Sequence, residues 1–178
     1  REVVFANPLA ATGPLLFVKQ VPSVFSHQLT QYYGSCARPG GGIFVLDAPG
    51  VPLQARPLAA GALPLCSYQH PEDSFDGQRV LFAYCHAETT PANRETHLDR
   101  YYHLYEMRAD GTGVRRLTDG WDRSVKSFAW SPDGRTLYVL ADDTGHQRGA
   151  AAGGKRRDQA YRLGGVGLLR GGNPREHA

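Results

Sequence analysis

The chain has 178 residues, a net charge of +3 and 41% hydrophobic residues, a content too apolar for a disordered chain. No run reaches the roughly 18 apolar residues of a membrane span, and the basic excess, in Lys155-Arg156-Arg157 and from Arg162 to Arg175, lacks the recognition helix or interleaved aromatics of a nucleic-acid face and reads as a solvated tail. With 21 Gly and 12 Pro, the composition suits many short strands joined by tight turns.

In chain order, the first β-rich run is Leu15–Val18. A long insertion, Gln20 to Gly42, separates it from a second run, Gly42–Asp47, which ends at Pro49-Gly50. Gly40-Gly41-Gly42 is not followed by Lys and Ser/Thr, so it is a weak phosphate-loop signal. Next comes Ser74-Phe75-Asp76-Gly77, then Val80–Ala83. The insertion His86 to Arg100 leads to Tyr102–Met107, the turn Asp110-Gly111, and Val114–Thr118. The third unit starts at Ser131-Pro132-Asp133-Gly134, continues as Leu137–Leu140, and has its second run at Gln159–Leu163 before Gly164-Gly165. An Asp-Gly pair before a β-rich run is a turn-then-strand signal, because Gly accepts positive φ without steric cost.

The two-run signature therefore occurs three times, near residues 15–58, 80–118 and 137–163. From Leu15 to Val80 to Leu137 the spacing is 65 and then 57 residues, a blade period with a long loop inserted. The expectation is an all-β chain: a partial β-propeller of about three blades over residues 1–148, open, and a fragment of a larger propeller, since closure takes at least four blades. Residues 149–178 read as a Gly/Arg-rich tail with a weak final strand. The chain starts at Arg1 and shows no signal peptide, as a mature form or an internal fragment would.

No complete catalytic apparatus is visible. Asp76, Asp110 and Asp133 each precede Gly, and turn formation is sufficient reason for them. Trp130 and Phe75 read as packing residues. Cys36, Cys66 and Cys85 form neither CxxC nor CxxCH, so neither a zinc ribbon nor covalent haem attachment is supported. They read as small buried hydrophobes, with one disulfide open to them in an oxidising compartment. Of the histidines (His27, His70, His86, His97, His103, His146 and His177), His86 and His97 could join Glu88 in a metal site, because imidazole and carboxylate suit zinc. The spacing matches no fixed motif, and a solvated polar loop is the plainer reading. No catalytic residue and no cofactor is expected in this chain. Any binding surface is expected on the two insertions, the first carrying Tyr32, Tyr33 and Cys36, and partners would be other domains or subunits of a larger protein.

Two stretches, Asp110 to Gly120 and Trp130-Ser131-Pro132-Asp133-Gly134, resemble the TolB-like, WD40-like propeller repeat over about residues 74–145. That resemblance implies an exported, periplasmic or secreted setting. Over about residues 14–120, Leu16-Phe17-Val18-Lys19, Arg38 to Asp47, Ser74 to Tyr84 and Tyr102 to Glu106 are similar to the propeller of hydrazine synthase alpha-subunit-related proteins. It implies a noncatalytic scaffold or interaction module or, with redox centres elsewhere, part of a haem- or metal-dependent oxidoreductase. Over about residues 117–148, Leu117 to Ser124 and Trp130 to His146 resemble the propeller of prolyl-oligopeptidase-type serine peptidases, which gates a separate hydrolase domain. No GxSxG nucleophile elbow occurs here.

Overall fold

A computed structural model describes residues 13–25, 33–48, 54–133, 136–143, 146–152, 161–163 and 166–170, with side chains described as far as residue 141. Among these residues the regular structure is all strand apart from one 3-10 turn at Gly34–Cys36. The strands form three sheets, none closed into a barrel.

The first sheet contains β1 (Leu15–Lys19), β2 (Gly42–Leu46) and β3 (Ala55–Pro57), in that order. The second is a four-stranded antiparallel meander of β4 (Ser67–Asp73), β5 (Arg79–Cys85), β6 (His103–Arg108) and β7 (Arg115–Arg116). The third joins β8 (Val125–Trp130), β9 (Leu137–Asp143), β10 (His146–Ala152), β11 (Tyr161–Leu163) and β12 (Val166–Arg170) in the order β11-β12-β10-β9-β8. Among the described strands only the β10–β12 pairing is parallel.

The Ser-x-Asp-Gly signature does the same work in two sheets. It connects β4 to β5 and β8 to β9. Ser74 Oγ donates to Asp76 Oδ1 at 2.5 Å and accepts the Arg79 N–H at 3.0 Å. Ser131 Oγ donates to Asp133 Oδ1 at 2.5 Å and accepts the Thr136 N–H at 2.9 Å. In both turns the serine N–H also donates to the carbonyl five residues on, at 2.8 Å. One hydroxyl thus closes the turn and starts the following strand. The Asp110-Gly111 turn between β6 and β7 has no such serine, but Asp110 Oδ1 accepts from Thr112 N at 2.8 Å as Asp76 Oδ1 does from Gln78 N at 3.0 Å.

Because β5 lies between β4 and β6, its apolar run is buried from Val80 to Cys85. β4 hides its strand character in the sequence. Its register with β5 shifts between Gln69 and Glu72, a bulge at which His70 takes φ 49° and Pro71 offers no N–H. The core is shared by all three sheets: Ile43 and Val45 from the first, Tyr68, Phe82, Leu104 and Met107 from the second, and Val125, Phe128, Trp130, Leu137 and Val139 from the third. At the tip of the β6–β7 hairpin, Gly111 (φ 87°) lies so close to the Leu58 carbonyl that a Cβ would collide with it.

Two expectations are corrected. The strand that pairs with β9 is β10, over seven registered residues, rather than 159–163. Tyr161–Leu163 is a strand, but at the far edge of the sheet, reached through β12. Gly149-Ala150-Ala151-Ala152 has no β-branched or aromatic residue and looks like tail; its strand conformation comes from pairing along β9. Phe75 is not a packing residue: it is 73% exposed at the turn position that Pro132 fills in the third sheet. The Pro49-Gly50 and Gly164-Gly165 turns lie outside the described residues, as does Gly134.

Candidate functional site

The two insertions come together. One joins β1 to β2, the other β5 to β6. Gly34 in the first packs against the Arg100 carbonyl at the end of the second, in a space that admits no side chain. Cys85 Sγ, where the second begins, points at the Gly34 carbonyl at 3.7 Å. Arg38 Nε reaches Thr90 Oγ1 at 3.5 Å, and its Nη1 donates to the Pro22 carbonyl at 2.7 Å. The Arg94 guanidinium lies 5.9 Å from the Phe25 ring centroid. The two loops therefore form one surface, which neither displays alone. Tyr33 is about half exposed on it, while Cys36 is buried. Tyr32 and His27 lie outside the described residues.

Under this surface Tyr102 OH and Ser67 Oγ are 2.6 Å apart, both buried. Tyr102 also straps the second sheet to the third, since its N–H donates to Ser124 Oγ at 3.0 Å and its carbonyl accepts from Val125 N at 2.7 Å. Gln20 Nε2 donates to the Tyr68 carbonyl at 2.7 Å. Gln20, Ser23, Arg38, Ser67 and Tyr102 line a cleft of about 10 Å³. That is space for about one water molecule, far below the roughly 300 Å³ at which small-molecule pockets begin.

Four titratable groups of the second sheet and its flanks are pushed toward their neutral forms. Burial pushes the Tyr102 hydroxyl well above its ordinary range. Burial raises the Cys66 thiol, which also accepts the Ala87 N–H at 2.7 Å. Cys85 is pushed up to about 12, by burial first and by neighbouring Cys66 second. On β6, His103 is pushed down to about 4 by burial and then by Arg116, whose Nη2 lies 2.8 Å from Nε2. An activated nucleophile or general base needs a shift toward neutrality, and each of these moves the other way.

Of the metal candidates, His86 and Glu88 meet at 3.4 Å, and His86 Nδ1 lies 3.0 Å from Tyr84 OH. The His97 carbonyl accepts the Arg100 N–H at 3.1 Å. Among the described residues no three His, Cys, Asp or Glu side chains gather as a ligand set. Asp76 and Asp110 are exposed turn residues. Hydrogen bonds from Ser74 and Thr112 hold their carboxyls below the usual range. All three cysteines are buried free thiols. No helix of the described residues is long and apolar enough to cross a membrane.

No family model matches the chain. Curated proteins do match part of it. Probable dipeptidyl-peptidase 5 of Arthroderma benhamiae is 36% identical over 73 residues, which is 41% of this chain and 9% of that protein. Dipeptidyl-peptidase 5 of Trichophyton schoenleinii matches to the same extent, and that of Arthroderma otae is 33% identical over 73 residues. The match thus spans 9% of the length of these relatives. These relatives are dipeptidyl-peptidases, in line with a peptidase-type resemblance over part of the chain.

Proposed function

We propose that this chain is a noncatalytic β-propeller segment of a prolyl-oligopeptidase-type peptidase, the part that gates a hydrolase domain carried elsewhere in the polypeptide. The observation that carries this reading is the 36% identity with dipeptidyl-peptidase 5 over 73 residues. The site chemistry supports it. The cleft beneath the two loops has room for about one water, and burial pushes the Tyr102 hydroxyl on its wall toward the neutral form. What remains is a stack of sheets that positions two joined loops, and its role is steric.

The test is a fluorophosphonate serine-hydrolase probe applied to the full polypeptide that contains residues 1–178. Labelling of a serine outside this stretch, and of none within it, is expected. Labelling within it would overturn the noncatalytic assignment, and a full polypeptide that is never labelled would remove the peptidase assignment.

A second reading has its own support. The same Ser–Asp turn opens the second strand of two sheets, as a TolB-like repeat would require. On this reading the chain is a scaffold or interaction module of an exported bacterial protein related to the hydrazine synthase alpha subunit, and its partners are other domains or subunits. Full-length sequence carrying further Ser-x-Asp-Gly repeats and no GxSxG would favour it.

A further inference from the structure

Antiparallel sheets commonly bury one face and leave the other polar and wet. The third sheet does so along β8, where Val125, Phe128 and Trp130 are buried and Lys126 and Ser127 are exposed. The second sheet is covered on both faces at β5, whose consecutive residues from Val80 to Cys85 are all buried. The first sheet is apolar on both faces, like the second, yet only one face is covered. Ile43 and Val45 point into the shared core. Cys66, which leads into β4, lies on their side, since a Cβ at Gly41 would strike its carbonyl.

The alternate positions make the other face. There Leu15 lies opposite Leu46 and Phe17 opposite Phe44, and the two phenyl rings stack with centroids 5.8 Å apart. Leu65 reaches the Gly42 position beside the Phe44 ring. Leu15 is 42%, Phe17 37% and Leu65 57% exposed. Among the strand positions of this face only Lys19 is charged. A contiguous exposed apolar surface marks an interaction site.

We propose that the outer face of the first sheet is a docking surface for a further β-sheet of the same polypeptide, one lying outside residues 1–178. Its facing strands carry apolar residues at alternate positions and pack about 10 Å away. Two observations select this occupant. The match spans 9% of the length of the relatives, so on the reading proposed above, on which the inference rests for this point, much of the polypeptide lies outside this chain. The face is also small. Strands of five, five and three residues offer on one side far fewer than the roughly 20–30 residues that each of two separate molecules contributes to a specific complex. A tethered sheet needs less, because the shared chain raises its effective concentration.

The test is hydroxyl-radical footprinting of the full polypeptide that contains residues 1–178, native and unfolded in urea. Native Phe17 should be oxidised as slowly as Phe82, which is fully buried. An uncovered Phe17 would instead react at about a third of its unfolded rate, in proportion to its 37% exposure, and would overturn the proposal. Photo-cross-linking of the Phe17→p-benzoylphenylalanine variant then identifies the cover. Links to a stretch of the same molecule outside residues 1–178 are expected. Links within residues 1–178, or between isotopically distinct copies, would overturn it. The footprint needs no substitution, so it decides the matter even where the variant does not fold. A wet Phe17 in a polypeptide whose serine is labelled by the fluorophosphonate probe removes this inference alone; a protected Phe17 in an unlabelled one removes only the peptidase reading.

Discussion

The guanidinium of Arg79, at the start of β5, lies over the indole of Trp130, at the end of β8, with its carbon 4.2 Å from the ring centroid. Arg79 also reaches Glu106 Oε1 at 3.4 Å, and the largely buried Glu106 carboxylate is held from its other oxygen by Arg115. Trp130, Arg79, Glu106 and Arg115 thus form a relay that ties the third sheet to the second. Arg79→Ala should cost about 1–2 kcal/mol in urea unfolding, through the lost cation–π contact and the weakened pairing of a buried carboxylate. Arg79→Lys should recover part of this, because a lysine keeps the charge but not the planar fork. An unaltered midpoint for Arg79→Ala would show the contact to be energetically idle.

Ser74 and Ser131 close equivalent turns, so equivalent substitutions should cost alike. Ser74→Ala removes the acceptor of the Arg79 N–H and the donor to Asp76; Ser131→Ala removes the corresponding pair for Thr136 and Asp133. Each should lose about 1 kcal/mol. Thermal unfolding of the two variants checks this, and a large difference between them would mean that the turns are not doing the same work.

These turns were legible in the sequence because their chemistry is local: a hydroxyl, a carboxylate and a glycine within four residues suffice. What was not legible depends on partners far away in the chain. β10 is a strand because β9 lies beside it, not because Gly149 to Ala152 favour extended backbone. β4 is broken up by its bulge at His70. The meeting of the two loops rests on Gly34 against Arg100, 66 positions apart, and only a glycine with no other evident reason to be there hinted at it.

That contact makes its own prediction. Gly34→Ala would drive a Cβ into the Arg100 backbone, so the loops must separate or the sheet ends must shift. Overpacking of this kind costs about 1–3 kcal/mol. Gly77→Ala is the control. Its Cβ meets nothing within 4 Å, and only its φ of 65° opposes the change, so about 1 kcal/mol or less is expected. Proteolysis within 86–100 should quicken in Gly34→Ala and not in Gly77→Ala. Equal behaviour of the two would remove the loop–loop contact as a structural element.

His103 sets a pH dependence. Its ring is pushed from 6.5 down to about 4 by burial and by Arg116, with Asp119 and Thr118 opposing the shift. Between about pH 6.5 and about 4 the unfolded chain therefore binds more protons at this residue than the folded one. Stability must rise with pH across that window and fall as acid is added through it. His103→Asn should flatten the slope of melting temperature against pH between those limits. A wild-type melting temperature that is level from pH 6.5 to 4, once carboxylate effects are set aside with the variant, would contradict a half-buried neutral ring.

The cysteines provide the most direct check on the core. Cys36, Cys66 and Cys85 are buried free thiols, and the Cys85 thiol is raised to about 12 by burial. Thiolate is the reactive species, so a buried thiol with a raised pKa is slow to attack. Ellman's reagent at pH 8 should therefore titrate essentially no thiol in the native chain and three after unfolding in urea without reductant. The second number matters as much as the first. One thiol after unfolding would reveal a disulfide, which would have to be built within a core where Cys66 already bonds to Ala87 and Cys85 faces Gly34. Three thiols released together, on the same transition as the loss of far-ultraviolet strand signal, would show that the first and second sheets unfold as one unit, as their shared core requires.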